Sequence, residues 1–288
     1  GGQVRFRTDS KRIQLKVNLL RPRGRMDHMP SSGEGGLDLY IGEPGSERYL
    51  KTARAEAGLQ EFECEILEAP TSKMRSYTLN LPLYNGLLSL LVGLDAEAEL
   101  LEPVSRPEAP LVFYGTSIMQ GGCASRPGMC YSTIVGRKLG REVLNYGFSG
   151  NGRGEAEVAT YLSRVKNPGL YFIDYQANVS PDDMRKTLPG FIEILRKAHP
   201  EVPIVIKSKV RYAIEYFYDV EGFENEAWLN RRESRDFMKQ FVAEQTTSGD
   251  TNIYFMEGED IQGEDYYECS VDGVHPTDMG FYRMAEAA

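Results

Sequence analysis

The first hundred residues alternate apolar and polar positions or cluster β-formers in short runs. These are Val4 to Thr8, Ile13 to Asn18, Leu37 to Ile41, Phe62 to Ile66, Tyr77 to Leu81 and Leu87 to Val92. Turn-rich segments such as Pro30-Ser31-Ser32-Gly33 and Gly42-Glu43-Pro44-Gly45 separate them. Many short strands punctuated by glycine and proline predict a β-sandwich or jelly-roll-like module over residues 1–101. Residues 102–110, EPVSRPEAP, hold three prolines and read as a stiff linker. From residue 111 the pattern changes. It predicts strands at Leu111 to Tyr114, Glu142 to Tyr146, Leu170 to Tyr175, Pro203 to Ser208 and Asn252 to Met256. Between and after them it predicts helices at Tyr131 to Leu139, Glu155 to Lys166, Pro181 to His199, Glu226 to Thr247 and Thr277 to Ala287. Strands alternating with helices imply a parallel, doubly wound α/β sheet of five strands over 111–288. The aromatic and acidic stretch Tyr212 to Asn225 reads as a loop near the functional edge of that sheet.

Composition narrows the partners. A net charge of -9 argues against a nucleic-acid footprint, which needs a clustered basic surface. The sequence has no apolar stretch of bilayer-spanning length and no signal-peptide pattern, so no membrane partner is expected. The pattern leaves the compartment open, with export after removal of a signal as one alternative. Four cysteines, Cys64, Cys123, Cys130 and Cys269, are too few and too scattered for a disulfide scaffold. They read as ordinary thiols, with a bridge among the last three as the alternative. No pair has metal-ligand spacing, and with three histidines no metal site is expected.

Two motifs carry chemistry. Gly115-Thr116-Ser117-Ile118 follows the apolar run Leu111-Val112-Phe113-Tyr114, and Asp272-Gly273-Val274-His275-Pro276 lies near the end of the chain. Open α/β sheets place ligands at the C-terminal ends of their strands, where Ser117 falls. A serine hydroxyl needs a base to become a nucleophile. Of the three histidines, only His275 follows the last predicted strand and precedes a helix, with Asp272 three residues before it to orient its ring. Ser117 could equally serve as a helix N-cap. After the second strand, Asn145-Tyr146-Gly147-Phe148-Ser149-Gly150-Asn151-Gly152 could offer an unobstructed backbone N–H. Its glycines do not fall at G-x-G-x-x-G spacing, which argues against a dinucleotide site. After the third strand, Asn178 could donate its amide to an oxyanion or simply shape a turn. Arg126 reads either as a ligand for a substrate oxygen or carboxylate, or as one half of a salt bridge that pins its loop. Gln176, with Tyr131, Tyr175, Tyr212, Tyr216 and Tyr218, gives the segments near the site a polar, aromatic character suited to sugars.

Taken together, Ser117, Gly150, Asn178, Asp272 and His275 resemble the SGNH (GDSL-type) hydrolase superfamily, whose site residues follow successive strands of a flavodoxin-like sheet. Gly36-Leu37-Asp38-Leu39-Tyr40 also resembles the GxDLY module found upstream of one SGNH-type esterase subgroup. The resemblance implies Ser117 as nucleophile and His275 as base, oriented by Asp272. It also implies an oxyanion hole built from the Ser117 and Gly150 N–H groups and the Asn178 side chain, with no cofactor. Two departures stand out. Gly-Asp-Ser reads Gly-Thr-Ser here, and the glycine and aspartate that usually surround the asparagine are absent. The expected activity is hydrolysis of short acyl, chiefly acetyl, esters of small-molecule or carbohydrate alcohols. The alternatives are an acyltransferase with the same acyl-enzyme and a carbohydrate-binding protein without turnover.

Overall fold

Strands β1 (Gln3–Thr8) and β2 (Arg12–Leu19) open the chain in a computed structural model that describes residues 2–24, 26–106, 108–222 and 225–288. β2 buries Ile13, Leu15, Val17 and Leu19 and exposes Arg12, Gln14 and Lys16, the alternation of a strand with one face on a core. The short helix α1 (Ser31–Glu34) follows, then β3 (Leu37–Ile41), β4 (Arg48–Ala53), β5 (Glu61–Glu68), β6 (Arg75–Asn80), β7 (Leu87–Leu94) and β8 (Leu100–Leu101). They form two antiparallel sheets, ordered β4-β3-β6-β1-β8 and β5-β2-β7. Phe6, Leu37, Leu39, Tyr77 and Leu79 of the first sheet share one core with the inward residues of β2. The predicted sandwich is present.

β9 (Leu111–Gly115), α2 (Ser117–Gln120), α3 (Tyr131–Leu139) and β10 (Val143–Gly147) begin the α/β half. It continues through α4 (Ala156–Leu162), β11 (Leu170–Asp174), α5 (Pro181–Ala198), β12 (Ile204–Lys207) and α6 (Glu215–Glu221). It ends with α7 (Glu226–Thr247), β13 (Ile253–Met256) and α8 (Asp278–Ala287). All five strands are parallel, in the order β10-β9-β11-β12-β13. This is the flavodoxin-like order, with the direction of winding reversing beside β9. Val112, Tyr114, Tyr171, Ile173, Ile204 and Ile206 pack on one face against Met184, Leu188 and Phe191 of α5 and Met238 of α7.

By contact, the chain forms two units. The first runs to residue 107 and takes up Gly121–Arg141. The second comprises Glu108–Gln120 and Glu142–Ala288.

Three expectations need correcting. β4 was not anticipated, because this edge strand exposes Arg48, Tyr49, Leu50 and Lys51 in succession and so shows no alternation. The stretch Tyr212 to Asn225 is not simply a loop, since α6 occupies Glu215–Glu221; Phe223 and Glu224 of that stretch, like Pro107 of the proline-rich segment, lie outside the described residues. The helix expected to reach Lys166 ends at Leu162. None of the four cysteines forms a disulfide among the described residues.

Candidate active site

The register of the parallel sheet gathers the candidate residues. Gly147 of β10 and Asp174 of β11 both pair with Gly115 of β9, so three strands end level. Ser117 follows Gly115 by two residues, Gly150 follows Gly147 by three, and Asn178 follows Asp174 by four. They therefore leave the sheet along one edge. Ser117 opens α2 immediately beyond β9.

His275 reaches the same place from the last loop. Val271 N donates to His275 O at 2.9 Å and Thr277 N to Cys269 O at 2.8 Å, which closes residues 269–277 into a tight hairpin leading into α8. Thr277 caps α8, its hydroxyl accepting from Gly280 N. Ser117 Oγ and His275 Nε2 stand 2.9 Å apart, and His275 Nδ1 is 2.7 Å from Asp272 Oδ2. The other carboxylate oxygen of Asp272 accepts from the backbone N–H groups of His275 (2.7 Å) and Val274 (3.0 Å). Partial burial pushes the Asp272 carboxyl up. The His275 N–H, its ring and the Val274 N–H outweigh that and hold it down at about 2. An ionised Asp272 is an acceptor for an N–H on Nδ1, the tautomer that leaves Nε2 able to accept from Ser117.

Around this chain, supports that sequence reasoning missed hold the loops. Gln120 Oε1 accepts from Ser149 N at 2.9 Å, and Asn145 Nδ2 donates to Met119 O at 2.7 Å. Tyr114 OH donates to Glu155 Oε2 and accepts from Gly154 N, anchoring the far end of the Gly150 loop. Gly150 itself has φ of +70°, and Arg153 Nε donates to its carbonyl. A Cβ on Gly152 would lie 2.1 Å from Gly115 O, so only glycine lets that loop pass so close beneath the end of β9. Asn178 Nδ2 donates to Gly152 O at 3.2 Å. That bond occupies one of its two N–H groups and fixes the direction of the other.

Other expected contacts lie elsewhere. Gln176 is buried, its amide bridging Arg231 O (2.9 Å) and Lys209 N (2.7 Å), the place of a brace within the fold rather than of a substrate contact. Arg126 Nη1 donates to Asp38 Oδ2 at 3.1 Å and to Tyr40 OH, and its guanidinium lies over the Tyr49 ring. This is the loop-pinning alternative. Tyr131 and Tyr175 are core residues and cannot present a face to a sugar. A concavity of about 330 Å³ on the outer face of β5-β2-β7, lined by Lys16, Glu63 and Leu91 among others, holds none of the candidate residues.

Known proteins place the chain in a family. The GDSL-like Lipase/Acylhydrolase family model matches residues 108–288, and the GxDLY model, the N-terminus of SGNH-hydrolase-type esterases, matches residues 1–100. A Bacteroides ovatus structure described as a GDSL-like lipase is similar at 28% identity and a TM-score of 0.88, over 99% of this chain and 81% of that one. A salicylyl-acyltransferase from a tetracycline biosynthetic pathway is similar at 20% identity and a TM-score of 0.78, over 99% and 80%. A family two carbohydrate esterase from Clostridium thermocellum is similar at 14% and 0.67, over 100% and 90%. The last two likenesses are of fold alone. No match is found among curated protein sequences. With the family model covering well over half its length, the chain belongs to the GDSL-like lipase/acylhydrolase family and is an esterase.

Proposed function

We propose that the protein hydrolyses short acyl esters, chiefly acetyl esters of carbohydrate alcohols, through an acyl-enzyme on Ser117. The observation that carries this is the unbroken chain from Ser117 Oγ through His275 to Asp272, at 2.9 and 2.7 Å. His275 Nε2 takes the Ser117 proton as Oγ bonds to the ester carbonyl carbon. The carbonyl oxygen becomes an oxyanion facing the Ser117 and Gly150 N–H groups and the Asn178 amide. The intermediate collapses, the C–O bond to the alcohol breaks, and the proton on Nε2 passes to the leaving oxygen. His275 then removes a proton from water, whose hydroxide attacks the acyl carbon, and Ser117 regains its proton as the acid leaves. Asp272 stays ionised throughout and stabilises the imidazolium at each turn.

The carbohydrate class draws support from Tyr216, which is 51% exposed, and from the carbohydrate esterase of the same fold that was seen in complex with cellohexaose. A fluorophosphonate probe is expected to label Ser117 and to label nothing in Ser117→Ala. Acetate release from acetylated sugars should exceed cleavage of octanoyl esters. Persistent labelling of the variant, or a preference for octanoyl esters with acetylated sugars untouched, would refute the corresponding half of the reading. An acyl group passed to an added alcohol in preference to water would make the protein an acyltransferase on the same acyl-enzyme.

A further inference from the structure

Two segments border the loop that bears Asp272 and His275, and both expose aromatic rings. In the first, Ala213 N donates to Gly273 O at 3.0 Å, which ties the start of α6 to the residue after Asp272. Three residues on, Tyr216 leaves its ring half exposed. The second is the 3-10 turn Tyr266–Cys269, which buries Tyr266, leaves Tyr267 42% exposed, and runs directly into the hairpin that holds His275. Tyr216 and Tyr267 meet edge to face, with centroids 5.4 Å apart and planes at 66°. The pair thus joins the two approaches to the His275 loop.

The support beneath the pair is firm. Glu215, next to Tyr216, is buried, and its carboxylate is bound by Lys209 Nζ at 3.0 Å and by Arg231. Arg231 also donates to Glu259 at 2.5 Å. A seven-residue helix has little stability of its own, and these ion pairs tie its first residue, next to Tyr216, to the rest of the fold. Exposed rings held still before a ligand arrives lose little freedom on binding, which is the condition for a recognition surface.

Position decides what is recognised. The leaving oxygen has to come within hydrogen-bond reach of His275 Nε2 to receive its proton, so the alcohol group lies on the His275 side. The oxyanion faces the loops after β10 and β11. Resting on the esterase reading above, the geometry points to Tyr216 and Tyr267 as the platform for the leaving alcohol, a pyranose or similarly flat ring. They would set specificity for ring-bearing alcohols over open-chain ones. A tyrosine suits a sugar, pairing an apolar face with a wet hydroxyl.

The test compares kcat/KM for an acetylated methyl xylopyranoside with that for ethyl acetate, in the wild type, Tyr216→Ala, Tyr267→Ala and Tyr216→Phe. Each alanine variant should lose about five- to tenfold on the pyranoside, mainly through KM, and less than twofold on ethyl acetate. Tyr216→Phe should retain most of the pyranoside activity, because the ring face remains. Equal losses on both esters would assign the tyrosines to structure, and an unchanged ratio would remove them from recognition; either overturns the platform. A wild type that cleaves neither ester sinks the esterase reading, and the platform with it.

Discussion

Asp38 and Asp272 each gather three donors, yet their chemistry runs in opposite directions. Asp38, from the GxDLY motif, accepts from Asn80 Nδ2 (2.7 Å), Gly128 N (2.7 Å) and Arg126 Nη1 (3.1 Å), and its side chain is 0% exposed. Asp272 accepts from two backbone N–H groups and an imidazole, and its side chain is 32% exposed. Complete burial pushes the Asp38 carboxyl above its ordinary value, and Asn80, Gly128 and Arg126 reverse that only in part. Asp272 keeps enough water that its hydrogen bonds prevail and it is lowered. Donor count alone does not fix the outcome; desolvation decides. One aspartate is therefore suited to holding a loop, and the other, in the proposed mechanism, to stabilising a charged ring.

Substitutions separate the two roles. Asp272→Ala should lower kcat by about 10³–10⁴-fold, measured on an acetyl ester, and cost less stability than Asp38→Ala, because water can reach the backbone N–H groups that a partly exposed carboxylate leaves behind. A collapse of the fold would erase the contrast. Asp38→Ala should do the reverse. Losing a buried charge that answers Arg126 and Gly128 should cost about 3 kcal/mol in denaturant unfolding, with kcat of the folded protein changed less than tenfold. Gly128→Ala tests the same clamp from the other side. A Cβ there would lie 2.4 Å from Tyr40 OH and 2.8 Å from Asp38 Oδ2, both on buried side chains, so roughly 1–3 kcal/mol should be lost. Wild-type stability in that variant would mean the loop is looser than its contacts.

Titration gives the smallest and most discriminating signal. Asp272, lowered, contributes stability above the ordinary carboxylate range and loses it as pH falls towards about 2. Asp38, raised, contributes in the opposite sense: its stabilising share is present below its unfolded value and is lost as pH rises through its folded value. On acidification, carboxylate carbon NMR should show Asp38 protonating before Asp272. The reverse order would contradict the desolvation argument.

The parallel strands were legible because each is a compact apolar run followed by a helical period, and Tyr131–Leu139 and Glu226–Thr247 matched to the residue. β4 and α6 were not. The one exposes four consecutive residues, and the other is anchored by a charged residue, Glu215, whose partners Lys209 and Arg231 are supplied by the rest of the fold. No local pattern announces either kind of element.

Chain chemistry by itself fixed the two architectures and the identity of the candidate dyad, because strand and helix periods and the short motifs around Ser117 and His275 are written in consecutive residues. It could not decide which side chains face a substrate. Gln176 and Tyr175 follow the same strand as Asn178, yet Gln176 bonds to Arg231 O and Tyr175 to Thr187 within the fold, while Asn178 donates to Gly152 O beside Gly150. Nor could it show that Asp38 holds Gly128, 90 residues away. Those outcomes depend on burial and on partners distant in sequence, which exist only once the chain has folded.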